Sequence, residues 1–166
     1  MEEIKILLLC SSRFAFPAIQ ELLYYNQLGA VIIPAHCTEM IDEAKTALKE
    51  TQIPVIEVTK ENFEQRALQA ISTYNINIGF VFTFSFVITE KVFSATTKGF
   101  YNVHPGPLPS YRGADPVFHQ IKNRESFAAV TIHLVDNGTD TGPIVMQEKI
   151  RLHSSDTYGM LSMKLS

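Results

Sequence analysis

Hydrophobic and polar positions follow two periods along the first two-thirds of the chain. Ile4 to Cys10 reads as a continuous apolar run, the pattern of a strand buried on both faces. After Ser11-Ser12-Arg13, the residues Phe14, Ala18, Leu22 and Tyr25 recur every three or four positions and predict a helix, with Pro17 tolerated only in its first turn. Gly29 is expected to close that helix before a second strand over Ala30 to Pro34. The same periodicities predict helices over Ile41 to Glu50 and Glu61 to Tyr74, and strands over Val55 to Val58, Ile76 to Thr83 and Phe100 to His104. Phe80, Phe82, Phe84 and Phe86 alternate as the core-facing side of a strand would. Strand and helix in alternation imply an α/β fold, a mostly parallel sheet with helices on both faces in three layers.

The pattern changes at Pro105-Gly106-Pro107-Leu108-Pro109, where so many prolines exclude both helix and strand interior. A helix follows over Ala114 to Asn123. Strands over Phe127 to Val135 and Ile144 to Ile150 are joined by a short turn from Asp136 to Pro143, which makes them an antiparallel pair near the C-terminus. Ser154, Ser155 and Asp156 offer N-caps for a last helix that the chain end at Ser166 cuts short. Residues 1–166 are expected to form a single domain.

Composition narrows the function without naming it. Over 166 residues, 46% hydrophobic and 19% charged content excludes a disordered or fibrous chain. A net charge of −3 advertises no surface for nucleic acid or anionic membrane. Cys10 and Cys37 are too few for a disulfide scaffold or a thiolate zinc site. The acidic start Met1-Glu2-Glu3 is unlike a secretory signal, and the longest apolar stretch, Ile78 to Ile88, is too short to span a bilayer. A cytoplasmic protein without membrane contact is the expectation.

Two segments place unusual polar residues at strand ends, where such sheets bind ligands. Asn102 and His104 lie two apart and share one face of a strand that enters the proline-rich loop. An amide donor beside an imidazole suits an oxyanion site with an acid–base partner, and equally suits tying down the loop backbone. In the Gly-rich turn, Asp136 and Asp140 are each able to cap it, the ordinary role of Asp there. Ser11-Ser12-Arg13 replaces the glycines of a dinucleotide fingerprint, and no phosphate-loop motif occurs. His36-Cys37 lacks spaced metal partners and reads as packing, and His119 and His153 as surface residues.

Together these segments resemble the folate-dependent formyltransferase family, most of all the amino-terminal catalytic domain of its tRNA-formylating branch. The likeness rests on Ser12-Arg13-Phe14-Ala15-Phe16-Pro17, Phe84-Ser85-Phe86-Val87-Ile88, Asn102-Val103-His104 with Leu108-Pro109-Ser110-Tyr111-Arg112-Gly113, and Asp136 to Pro143. The resemblance implies a Rossmann-like formyltransferase fold and a catalytic triad of Asn102, His104 and Asp140. It further implies that 10-formyltetrahydrofolate donates a formyl group to a primary amine, with no metal required. Asn102 and a protonated His104 would bind the developing oxyanion, while Asp140 would orient His104 and raise its pKa. The pterin is expected in an apolar slot beside Phe84, Ser85, Phe86, Val87 and Ile88, with the loop from Val135 through Asp136 and Gly138 to Thr139 reading its ring edge. His133 is open between support of the triad and plain packing.

Departures from the family pattern narrow the acceptor. The Gly-rich phosphate turn of the purine-pathway branch is replaced by Ser11-Ser12-Arg13, and the basic loop after the second strand of the tRNA branch by the acidic His36-Cys37-Thr38-Glu39-Met40. A small or carrier-linked amine is therefore the expected acceptor, with nucleic acid disfavoured for this chain alone. The alternatives are a formyltetrahydrofolate hydrolase, a fragment of a methionyl-tRNA formyltransferase and a non-catalytic folate-binding module. The sequence carries no signal for oligomeric state.

Overall fold

The computed structural model describes residues 3–165. Seven strands form one mostly parallel sheet: β1 (Ile6–Cys10), β2 (Leu28–Pro34), β3 (Val55–Val58), β4 (Ile78–Phe82), β5 (Phe100–His104), β6 (Phe127–Leu134) and β7 (Ile144–Arg151). Their order is β3-β2-β1-β4-β5-β6-β7. The chain divides into two compact units, Met1–Tyr101 and Asn102–Ser166, with the boundary inside β5. No helix among the described residues is long and apolar enough to cross a membrane.

In the first unit β1 runs parallel to both β2 and β4, and β2 parallel to β3. Every residue of β1 is buried, which is why its sequence is apolar throughout instead of alternating. The helices α1 (Phe16–Tyr24), α2 (Thr38–Leu48) and α3 (Phe63–Thr73) connect these strands, and a short α4 (Glu90–Phe93) precedes β5. α2 buries Met40, Ile41, Ala44 and Leu48, and α3 buries Phe63, Ala67, Ala70 and Ile71, one stripe each at helical spacing. Pro17 does sit in the first turn of α1.

Two expectations fail here for local reasons. Gly29 does not end α1; it lies inside β2, where a Cβ would come within 2.5 Å of the Ile76 side chain. The left-handed residue after α1 is Asn26, a residue type that tolerates that conformation. The four alternating phenylalanines are not one strand face either. β4 stops at Phe82, Thr83 turns the chain with φ +52°, and Phe84 and Phe86 lie in the half-buried loop beyond.

In the second unit, β6 and β7 are the expected antiparallel pair. α5 (Pro116–Lys122) and α6 (Tyr158–Lys164) pack on them around Val117, Ala128, Leu161 and Leu165. The N-cap of α6 is Thr157, whose hydroxyl accepts from Met160 N, one residue beyond the predicted candidates. Asp156 instead accepts from His153 N at 2.9 Å and Lys164 Nζ at 2.6 Å.

Two buried polar side chains, Gln120 and Thr131, and the half-buried Gln147 pin the proline-rich loop. Gln120, fully buried, donates to the carbonyls of Pro105 and Pro116, and its oxygen accepts from Ala129 N. Thr131 Oγ donates to Gly106 O at 2.6 Å and accepts from Leu108 N at 3.3 Å. Gln147 donates to Leu108 O at 3.0 Å and to Thr131 Oγ at 2.9 Å. These bonds satisfy the loop's buried polar groups and set its course after β5.

Candidate active site

β5 delivers Asn102 and His104 on one face, as their spacing requires. Asp140 arrives from the β6–β7 turn with φ +52°, a conformation that costs an Asp about 1–2 kcal/mol and is held here by several bonds. Asp140 Oδ2 accepts from Gly113 N at 2.8 Å, and Arg112 Nε donates to the Asp140 carbonyl at 3.0 Å. Asp136 serves the turn itself, its Oδ1 accepting from Gly138 N at 3.0 Å and Thr141 Oγ1 at 2.6 Å.

Around Asp140 the side chains converge. His104 Nδ1 stands 3.4 Å from Asp140 Oδ2, and its Nε2 donates to the Tyr111 carbonyl at 2.8 Å. Asn102 Nδ2 donates to Asp140 Oδ1 at 3.1 Å. His133, which motif spacing did not assign, lies in the same cluster: its Nε2 is 3.3 Å from Asp140 Oδ1 and 3.1 Å from Asn102 Nδ2. The register of β6 on β7 shifts between Ile132 and His133, the kind of irregularity that re-aims a side chain beside a site. The available signal was an ionisable residue two positions after the inward-facing Thr131 on the same strand.

Electrostatics separate the two histidines. Burial pulls His104 below the ordinary imidazole pKa, more strongly than the Asp140 charge and the Tyr111 carbonyl raise it. The expected elevation by Asp140 is present but outweighed, so the resting His104 is neutral and not the imidazolium anticipated from the sequence. For His133 burial also opposes charge, but hydrogen bonds to Asp140 and the Leu134 carbonyl, with the charges of Asp140 and Asp136, hold its pKa above the ordinary value. Asp140 is lowered to about 2: burial pushes it up, and the His133 hydrogen bond, the Gly113 N–H and both histidines more than reverse this.

A depressed carboxylate stabilises the fold above its unfolded pKa of 3.8 and loses that contribution as pH falls towards 2. The shift corresponds to about 2 kcal/mol. Urea unfolding at about pH 5 and about pH 2 is expected to show this loss in the wild type and a smaller one in Asp140→Asn.

In the first unit the predicted donor-binding loop forms an aromatic cluster. Phe84 lies 5.1 Å from Phe63 and 5.4 Å from Phe86 between ring centroids, and Phe86 lies 6.1 Å from Phe63. Ser85 N donates to Ser11 Oγ at 3.1 Å, which ties the loop to the end of β1. Val87 is exposed at 86%, and Ile88 is half-buried. His36 is exposed with its ring 6.1 Å from Phe86, so it lines this cluster instead of packing in the core. In the second unit Val135 and Asp136 are half-buried, and Gly138 and Thr139 are exposed on the turn.

Residues 5–166 match the formyl transferase family. This chain belongs to that family. A methionyl-tRNA formyltransferase from Kosmotoga olearia is 34% identical over 121 residues, covering 73% of this chain and 39% of that protein. The chain thus spans about two-fifths of that relative's length. A solved glycinamide ribonucleotide transformylase from Symbiobacterium toebii superposes with a TM-score of 0.81 at 19% identity, covering 98% of this chain and 80% of that one. WlaRD, a sugar 3N-formyl transferase solved with dTDP and 5-N-formyl-THF, superposes with a TM-score of 0.70 at 23% identity, covering 99% and 58%. These structural likenesses extend to the fold.

Proposed function

We propose that this chain carries out formyl transfer from 10-formyltetrahydrofolate to a primary amine, with Asn102, His104 and Asp140 at the reacting atoms. The observation that carries it is the convergence of those side chains around one charged carboxylate in a member of the formyl transferase family. The amine nitrogen attacks the formyl carbon, the N–C bond forms, and the carbonyl oxygen takes the negative charge. Asn102 donates an N–H to that oxygen, a contribution of roughly 2.7–4 kcal/mol for one such donor. Neutral His104, whose Nε2–H is held by the Tyr111 carbonyl, accepts the proton the amine loses at Nδ1, where the adjacent Asp140 Oδ2 stabilises the imidazolium as it forms. The same proton then goes to the folate nitrogen as the C–N bond breaks, giving the formamide and tetrahydrofolate.

The acceptor is a small or carrier-linked amine. The name of the 34% identical relative favours an aminoacyl amine on a carrier, while the net charge of −3 leaves the grip on any nucleic-acid carrier outside this chain. For the donor, the apolar Phe84–Ile88 loop and the Val135–Thr139 turn are the proposed contacts, and the 5-N-formyl-THF held by WlaRD supports a folate there. A cytoplasmic location fits one-carbon transfer chemistry.

Calorimetric titration with 5-formyltetrahydrofolate tests this. Saturable binding by the wild type is expected, weakened at least about tenfold by Phe86→Asp, which places a charge among aromatic rings. A folded wild-type sample that binds no folate contradicts the proposal.

A further inference from the structure

We propose that His133 is a positioning residue that switches Asn102 between a held and a free amide hydrogen, a role that rests on the proposed donation from Asn102 to the substrate oxygen. The Leu134 carbonyl, 2.8 Å from His133 Nδ1, accepts a hydrogen bond and so fixes a proton on that nitrogen in either charge state. The other nitrogen, Nε2, forms a triangle with Asn102 Nδ2 at 3.1 Å and Asp140 Oδ1 at 3.3 Å; the remaining side, Asn102 to Asp140, is 3.1 Å.

Three atoms so placed admit two hydrogen patterns. When His133 is neutral, Nε2 is a lone pair and accepts one Asn102 N–H while Asp140 accepts the other. Both amide hydrogens are then consumed. When His133 is protonated, Nε2–H donates to Asp140 Oδ1 and no longer accepts from Asn102, so one amide N–H is released for the developing oxyanion. The groups facing His133 are Asp140 and Asp136, which favour the charged state, and His104, with ring centroids 6.4 Å apart, which opposes it when charged. β7 places the uncharged Ile144 opposite His133. Although burial opposes charge on His133, its bonds to Asp140 and the Leu134 carbonyl favour the charged form more than a free imidazole would.

The test combines nitrogen-15 NMR titration of the full chain with rates, using 10-formyltetrahydrofolate and methionine methyl ester as the amine. The Asn102 side-chain amide signal is expected to move with the midpoint of the His133 ring. Wild-type kcat/KM is expected to fall through the same midpoint as pH rises. His133→Gln, whose amide donates to Asp140 at every pH, is expected to lose that limb and to run about tenfold slower at its plateau. An Asn102 signal that stays fixed while His133 titrates overturns the switch, as does a limb that persists in His133→Gln at the wild-type midpoint. If the Asn102 signal follows His133 but no enzyme turns over, the hydrogen-bond switch stands and the formyl-transfer proposal fails.

Discussion

Asp140→Asn is expected to lower kcat for formyl transfer by about 10³-fold while changing donor affinity by no more than a few-fold. The substitution keeps size and leaves one oxygen able to accept from Gly113 N, the bond that holds the turn, while an amide NH2 replaces the oxygen that accepted from Asn102. What disappears is the charge. Without it the buried His104 keeps only the Tyr111 carbonyl to stabilise the imidazolium formed when it takes the amine proton, and burial pulls its pKa further down. His133 loses the main group that raises its own pKa, so Asn102 is held and not released. Both effects act on the transition state and neither touches folate contacts. Single-turnover rates with calorimetric donor affinities separate the two. A variant with wild-type kcat would remove Asp140 from the mechanism.

Gly142→Ala is the second large effect, and it acts through the backbone. A Cβ at Gly142 would come within 1.8 Å of the Leu134 carbonyl oxygen and 2.8 Å of its carbon, main-chain atoms that have no rotamer to escape into. That carbonyl is the acceptor for His133 Nδ1, and Leu134 N donates to the Pro143 carbonyl at 3.0 Å. Relief requires the Asp136–Pro143 turn to move away from β6, which displaces Asp140 from both histidines. A stability loss of about 2–3 kcal/mol is expected with a fall in kcat of at least about 100-fold. Thermal unfolding and rates under donor saturation measure the pair. A variant that unfolds as the wild type does and turns over normally would show that the turn has slack the structure does not have.

Much of this architecture was legible because its signals are local. A fully buried β1 must be apolar at every position, and the eight-residue turn from Asp136 to Pro143 leaves β6 and β7 little choice but to pair antiparallel. Gly29 misled because a glycine needed for close packing against Ile76 looks the same in sequence as one ending a helix. The phenylalanines misled because a period of two does not reveal where a left-handed Thr83 breaks the strand. The site divides similarly. Asn102, His104 and Asp140 sit in recognisable motifs, whereas the place of His133 depends on contacts with residues 31 and seven positions away, and the bonds from β6 were not written in either segment. The charge on His104 was misjudged for a related reason, since its burial is set by the whole fold and not by the neighbouring Asp.

The central claim is that this cluster moves a formyl group from a folate to an amine nitrogen. Its most direct test follows the carbon: the chain is incubated with 10-formyltetrahydrofolate labelled with carbon-13 in the formyl group and with a panel of small and aminoacyl amines, and the label is located by NMR. The account predicts amine-dependent release of tetrahydrofolate with the label in a formamide, lost in Asn102→Ala and Asp140→Asn. Label appearing only in formate, at a rate indifferent to every amine, would contradict it and make water the nucleophile.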